Sequence, residues 1–90
     1  MKKQVCILIF GIVQGVFFRV SAAGVARKLN LTGFIRNLPD RNVEVIIEGE
    51  EALLQKMIDW CHKGPPGSRV THVETKWSEA TSRFTQFQIR

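Results

Sequence analysis

The amino-acid sequence predicts an α+β fold in which a mainly antiparallel sheet carries two helices on one face. Two observations predict this class. Segments with strand and helix patterning follow one another in the order strand, helix, strand, strand, helix, strand, with a short strand added at the end. The chain has 90 residues and is 44% hydrophobic, which is enough for one two-layered core and too little for two. We therefore expect one domain over residues 1–90.

The first strand and the first helix are predicted from apolar patterning. Residues 4–13 are apolar on both faces, which indicates a central strand of the sheet. Residues 21–29 are predicted to form a helix with Ser21 as its N-cap, and its apolar residues have helical spacing: Ala22, Val25, Ala26 and Leu29. Asn30 follows at the position where a residue in the left-handed conformation commonly ends a helix.

A hairpin is predicted next, from residues 32–38 and 43–49 on either side of a polar turn. Asn42 tolerates positive φ and is expected to shape this turn. In the second arm Glu44 and Glu48 alternate with valine and isoleucine residues. We therefore expect one face of this strand to be exposed to solvent.

The second helix and the last two strands complete the order of elements. Residues 50–63 are predicted to be helical and end at a Gly-Pro-Pro sequence, with a buried stripe of four residues: Leu53, Met57, Trp60 and Cys61. Residues 69–77 and 84–90 are predicted to be strands. This order is that of a ferredoxin-like βαββαβ sandwich with a short extra C-terminal strand.

The charge and the cysteines limit the class of protein. The net charge of +5 favours anionic partners, and because the basic residues are scattered, a small anion is favoured over nucleic acid. The longest apolar run, residues 5–10, is too short to span a membrane, and no signal peptide is indicated. Cys6 and Cys61 belong to no CxxC motif. We expect free thiols and a cytoplasmic location, with a long-range disulfide as the alternative.

Several common catalytic motifs are absent from the sequence. It contains no Walker A sequence, no GxGxxG, no cysteine-phosphatase loop and no aspartate pair after a strand. His62 and His72 are isolated, and we interpret them as a helix-end residue and a strand-surface residue rather than as metal ligands. An enzyme with this sequence must therefore work without a metal, a covalent nucleophile or an obvious base. We expect it to need no cofactor.

The segment VQGVFFR, residues 13–19, lies between a predicted central strand and a helix N-terminus, where backbone N–H groups favour an anion. Gly15 permits a loop in which successive N–H groups converge. Arg19 adds a guanidinium cation whose fork of paired N–H donors suits phosphate oxygens. Val16 and Phe18 could anchor the loop in the core. The structural alternative is a turn glycine, core phenylalanines and a solvated arginine. Arginine is unfavourable at a helix start, however, and a bound anion would compensate for it.

The segment GFIRN, residues 33–37, is the second candidate for a functional role. Asn37 lies near the end of the second predicted strand. It could cap the following turn, which is a common use of asparagine. It could instead hold a hydrogen-bonding group next to the anion-binding loop. Sequence position alone leaves both interpretations open.

These two segments together resemble the signatures of the acylphosphatase family. The first signature runs G-x-V-Q-G-V-x-F-R and is matched at seven positions: Gly11, Val13, Gln14, Gly15, Val16, Phe18 and Arg19. The second is weaker and is matched at five positions: Gly33, Phe34, Asn37, Val43 and Gly49. Three residues depart from the family pattern: Asn30 replaces a glycine, Ile35 replaces a smaller apolar residue, and Arg41 replaces the hairpin glycine. Phe17 is at a position that varies in the family.

The resemblance implies hydrolysis of the carboxyl–phosphate bond of a small acyl phosphate, with inorganic phosphate as product and inhibitor. It implies that Arg19 and Asn37 are the catalytic residues. Asn37 would orient the attacking water, and the phosphate would be held by the side chain of Arg19 and by a loop of six residues: Gln14, Gly15, Val16, Phe17, Phe18 and Arg19. We expect a monomer that binds neither nucleic acid nor membranes.

Proteins of two other classes compete with this interpretation. RNA-recognition domains share the predicted topology, but they carry base-stacking aromatic residues on the third strand, and residues 43–49 contain none. The other alternative is an inactive module that binds a small anion or carbamoyl phosphate, like acylphosphatase-like domains within larger proteins. The sequence contains no further domain for such a module to serve.

Overall fold

A computed structural model describes all 90 residues of the chain. Its elements are, in chain order, β1 (Lys2–Ile12), α1 (Phe18–Lys28), β2 (Thr32–Asn37), β3 (Val43–Glu50), α2 (Glu51–Lys63), β4 (Arg69–Glu79) and β5 (Phe87–Ile89). The strands form one sheet in the order β4-β1-β3-β2-β5. All neighbouring strands are antiparallel except β2 and β5, which are parallel. The predicted ferredoxin-like α+β fold is confirmed.

The core lies between the two helices and one face of the sheet, where 18 buried residues form a single hydrophobic cluster. β1 pairs with both β3 and β4, so its predicted central position is confirmed. It contributes three fully buried side chains, Val5, Ile7 and Ile9. Burial of each such side chain stabilises the fold by about 1.5–3 kcal/mol before the entropy cost. From α2 the buried residues are Leu54, Met57, Ile58 and Cys61, whereas Leu53 and Trp60 of the predicted stripe are only partly buried.

The first helix begins at Phe18, so the predicted start at Ser21 is wrong. Phe17 occupies the N-cap position with a left-handed backbone and no side-chain cap. The physical reason lies in Phe18, which is 1% exposed and extends the apolar face of the helix by one turn towards the loop. Arg19 therefore lies in the first turn of α1 rather than in the loop before it. At the other end Asn30 has φ 56, as its predicted left-handed role requires.

The alternation of residues in β3 predicted that its outer face is exposed to solvent. This prediction is wrong for Glu48. Glu48 is only 4% exposed, because the segment that connects β4 to β5 covers it. Its carboxylate accepts hydrogen bonds from Thr81 N at 2.8 Å, Thr81 Oγ1 at 2.7 Å and Ser82 N at 2.9 Å. Burial by itself would raise the pKa of Glu48, but these hydrogen bonds and the charge of Arg83 outweigh it and lower that pKa. Glu48 therefore fastens the connecting segment to the sheet.

The turn between β2 and β3 also differs from the prediction. Arg41, not Asn42, takes the positive φ of 74. The carboxylate of Asp40 accepts a hydrogen bond from Asn42 N at 3.0 Å, which is an aspartate turn of the usual kind. The last strand is shorter than expected, since pairing with β2 is limited to residues 87–89.

Candidate active site

The loop between β1 and α1 follows the central strand and precedes a helix N-terminus, as predicted. Gly15 has φ 74 and Phe17 has φ 59, whereas φ of the intervening Val16 is not positive. An alternation of left-handed and ordinary residues turns neighbouring N–H groups towards one side of the chain and forms an anion-binding concavity. The backbone of the loop thus has the geometry that the glycine predicted.

The anchors of the loop are the side chains that the sequence indicated. Phe18 is buried, and its ring meets that of Trp60 edge to face, with centroids 5.4 Å apart. Val16 is partly buried against the same core. Two apolar anchors within three residues hold the loop in one conformation, so that an anion need not first order it.

The backbone donors of residues 15–19 make no hydrogen bond within the protein. The first turn of α1 also contains no acidic residue. The N-terminus of a helix carries a partial positive charge, which these unused N–H groups concentrate at the loop. The region therefore favours a bound anion.

Arg19 adds a full charge to the same region and forms no salt bridge with an aspartate or glutamate side chain. Its Nη1 donates a hydrogen bond to the main-chain oxygen of Arg90 at 3.0 Å. Arg90 is itself held in place, because its N–H donates to Ile35 O at 2.8 Å and its guanidinium lies 4.1 Å from the ring centre of Phe34. The contact fixes one arm of Arg19 and leaves the other donors of its fork for a ligand.

Asn37 is the last residue of β2, and its Oδ1 atom is buried without any hydrogen-bond partner. β1 and β2 are both antiparallel to β3, so their C-terminal ends lie at the same edge of the sheet. Asn37 is therefore next to the loop, although 18 positions separate it from Arg19. An unpaired buried acceptor is costly unless a ligand or water satisfies it.

Arg19 and Asn37 line one cavity of about 210 Å³, together with five other residues: Val13, Gly15, Phe17, Phe18 and Val20. The structure thus brings together the two segments that the sequence singled out. Of the predicted loop residues, Gln14 and Val16 do not line the cavity. The lining contains no carboxylate, histidine or cysteine.

Gln14 has a role that the sequence did not indicate. Its Nε2 donates hydrogen bonds to Leu38 O and to Asn42 O, each at 2.9 Å. These two carbonyl groups flank the turn that follows Asn37, so the side chain of Gln14 ties the loop to the β2–β3 hairpin. No local pattern reveals this, because the two hydrogen bonds span 24 and 28 residues.

A larger depression of about 510 Å³ lies between α1 and the segment after α2, and Lys63 is its only charged lining residue. It contains no buried polar atom without a partner. Size alone therefore does not identify the candidate site, because it is the smaller cavity whose lining combines a cation with a residue that has a buried, unpaired acceptor. The structure contains no cluster of three or more histidine, cysteine, aspartate or glutamate side chains that could hold a metal ion. No helix is both long enough and apolar enough to cross a membrane.

Comparison with known proteins gives a consistent result. The family model described as acylphosphatase matches residues 5–89. The chain is 44% identical over 87 residues to an acylphosphatase of Methylococcus capsulatus, covering 97% of this chain and 95% of the relative. Its structure is similar to a crystal structure of acylphosphatase from Bacillus subtilis, with a TM-score of 0.94, 34% identity and 98% of each chain covered. It also resembles 12% of T. kodakarensis HypF, with a TM-score of 0.84, 31% identity and 98% of this chain covered.

Proposed function

The chain is an enzyme of the acylphosphatase family, and we propose that it hydrolyses the carboxyl–phosphate bond of a small acyl phosphate by direct attack of water. The products are a carboxylate and inorganic phosphate. One observation carries this proposal, namely that Arg19 lines the same cavity as Asn37, a residue whose Oδ1 is buried without a hydrogen-bond partner.

The phosphate is assigned to the loop and to Arg19. Backbone N–H groups of residues 14–19 and the guanidinium fork donate to its oxygens and neutralise the charge that develops as the bond to the carboxylate breaks. An acyl phosphate has a good leaving group, so positioning and charge stabilisation are the main requirements for phosphoryl transfer. The assignment is supported by the free donors of the loop and by the absence of an aspartate or glutamate partner for Arg19.

The attacking water is assigned to Asn37, whose free acceptor suits a water proton. The lining of the cavity offers no side chain that could act as a base. We infer that the proton of the water passes to an oxygen of the substrate phosphate. This route needs neither a metal nor a cofactor.

The first test is hydrolysis of benzoyl phosphate in the presence of a chelator, with and without inorganic phosphate. We expect turnover that phosphate inhibits. Arg19→Lys keeps the charge but loses the fork, and we expect kcat/KM to fall at least 10-fold, since a charge-assisted hydrogen bond contributes about 1.5–3 kcal/mol.

The matched control for this substitution is Arg27→Lys. Arg27 lies at the other end of the same helix, and its Nη2 also donates to a main-chain oxygen, that of Phe87 at 3.0 Å. It does not line the cavity, so Arg27→Lys should leave kcat/KM close to that of the wild type. Equal losses in both variants would mean that Arg19 acts only through the stability of α1.

Asn37→Ala separates turnover from phosphate binding. It removes the acceptor assigned to the water and none of the donors assigned to the phosphate, so kcat should fall while phosphate still inhibits. Loss of phosphate inhibition in this variant would contradict the role assigned to Asn37. If the wild type binds phosphate but hydrolyses neither benzoyl nor acetyl phosphate, the chain is a binding module rather than a catalyst.

A further inference from the structure

We propose that two copies of the chain form a weak dimer by antiparallel pairing of their β4 strands, with Thr75 of one copy opposite Thr75 of the other. This dimer is separate from the proposed function, and it differs from the monomer expected from the sequence. Three features of β4 support it: a long free edge, the absence of groups that would block pairing, and a charge pattern that is complementary to itself.

The free edge of β4 is the side of the strand that faces away from β1. β4 is the outermost strand of the sheet and pairs only with β1. It has 11 residues, whereas β5 at the opposite edge has three. No backbone hydrogen bond other than those with β1 involves residues 69–79. Alternate N–H and C=O groups of β4 therefore point away from the protein and can pair with a further strand.

Most of β4 has none of the features that commonly prevent pairing at an edge, such as a proline, a bulge or a charge on the core side of the strand. Its one bulge lies at Thr71, which the register shift with β1 leaves without a partner. Residues 72–79 are in regular register and contain no proline. Val73, Thr75 and Trp77 lie opposite buried residues of β1, so they point to the helix side of the sheet, and none of them is charged.

The charges lie on the other face of β4, in an order that is complementary to itself. Glu74 and Lys76 are both exposed and flank Thr75. A two-fold axis at Thr75 therefore places Glu74 of each copy opposite Lys76 of the other copy. Lys76 forms no salt bridge within the chain, so its ammonium group is available for this contact. The dimer thus contains two cross-strand pairs of opposite charge.

Apolar side chains meet on the helix side in the same register. The axis at Thr75 places Val73 of each copy opposite Trp77 of the other. Trp77 is 38% exposed in the single chain. Pairs of an aromatic and a β-branched residue are favourable between neighbouring strands, and pairing removes part of the Trp77 ring from water.

Neighbouring registers lose these contacts. An axis at Glu74 would set the two Glu74 carboxylates opposite each other, and an axis at Lys76 would do the same with the two ammonium groups. The charge pattern therefore favours one register and a second copy of this chain as the partner. Pairing over residues 72–78 extends for about 24 Å and gives an interface at the small end of the usual range. We therefore expect association only at high protein concentration.

The test is sedimentation equilibrium of the full chain between about 5 µM and about 1 mM, the range of weak association. The mass should rise with concentration from that of one chain, 10.2 kDa, towards twice that value. Glu74→Lys and Lys76→Glu each set like charges opposite each other at two places, and each should raise Kd about 10-fold. The double variant Glu74→Lys with Lys76→Glu restores pairs of opposite charge and should return Kd to nearly the wild-type value.

The design separates these pairs from a general effect of charge. Glu74→Lys raises the net charge and Lys76→Glu lowers it, so a general effect would change Kd in opposite directions. The matched control is Asp59→Lys on the exposed face of α2, which makes the same change of charge as Glu74→Lys and should leave Kd at the wild-type value. Circular dichroism of each variant checks that it is folded.

Hydrogen exchange locates the contact, because amide groups of residues 72–78 should exchange more slowly as the concentration of the wild type rises. A wild type that stays monomeric at about 1 mM overturns the inference, and the edge is then free for a strand of another protein. A wild-type dimer that neither Glu74→Lys nor Lys76→Glu weakens also overturns it, because another surface would then form the contact.

Discussion

Replacement of Gln14 by methionine tests the connection between the loop that joins β1 to α1 and the hairpin that carries Asn37. Methionine has nearly the length and shape of glutamine but no donor. The change therefore removes the hydrogen bonds to Leu38 O and Asn42 O, each of 2.9 Å, with little change in volume. All other contacts of the hairpin remain available.

The cost to stability follows from the other partners of these carbonyl groups. Leu38 O also accepts from Arg41 N at 3.0 Å, and Asn42 O also accepts from Leu38 N at 2.8 Å. Neither acceptor is left unpaired when Gln14 is lost, so the loss is that of two ordinary hydrogen bonds. We expect the free energy of unfolding to fall by about 1–2 kcal/mol.

Chemical denaturation of the wild type and of Gln14→Met measures this difference, provided that the slope with denaturant is the same for both. The control is Gln55→Met. Gln55 Nε2 donates one exposed hydrogen bond, to Asp59 Oδ1 at 3.0 Å on α2. Its loss should change the free energy of unfolding by less than about 0.5 kcal/mol, as is usual at the surface.

Gln14→Met should also lower kcat for benzoyl phosphate by about 10-fold. Misplacement of a functional group by about 1 Å can cost about 100-fold in rate. Leu38 directly follows Asn37, so loss of its contact with Gln14 should act mainly through Asn37. In an Asn37→Ala background, Gln14→Met should then cost little further kcat. Fully additive losses in the double variant would refute this reasoning, as would a wild-type free energy of unfolding in Gln14→Met.

Further predictions concern stability. Glu48→Gln should lower the free energy of unfolding by about 1.5–3 kcal/mol at pH 7, because one of two accepting oxygens becomes a donor. Since the folded state lowers the pKa of Glu48, the contribution of its carboxylate is present above the ordinary glutamate pKa of about 4.3 and is lost as the pH falls through the folded value. Denaturation curves of the two proteins should therefore converge in acid, and a constant difference down to pH 2 would contradict this. Gly33→Ala should cost at least about 2 kcal/mol, because φ is 138 and a Cβ atom would overlap Ile46 O. Gly24→Ala, in the open middle of α1, should instead stabilise by about 0.5–1 kcal/mol, and similar effects of the two alanines would contradict the assigned backbone roles.

Local patterns were sufficient to predict the fold class and most of the elements. The doubly apolar first strand predicted a central position, and the left-handed role of Asn30 followed from its place after a helical stretch. The start of α1 was missed because Ser21 offered a conventional cap, whereas the helix begins one turn earlier at the buried Phe18. Burial of a side chain in the assembled core outweighed a local capping preference.

The sequence by itself determined the chemistry of the site: a glycine-shaped loop before a helix, with a cation and apolar anchors, within residues 13–19. From the sequence alone, Asn37 could be interpreted either as a turn cap or as a functional amide. Only the tertiary structure placed Asn37, whose Oδ1 is buried without a hydrogen-bond partner, on the same cavity as Arg19. The tertiary structure likewise revealed the two hydrogen bonds from Gln14 to the hairpin and the burial of Glu48. These features depend on contacts between residues far apart in the chain, which no local periodicity encodes, because they arise only when strands pair in their final register.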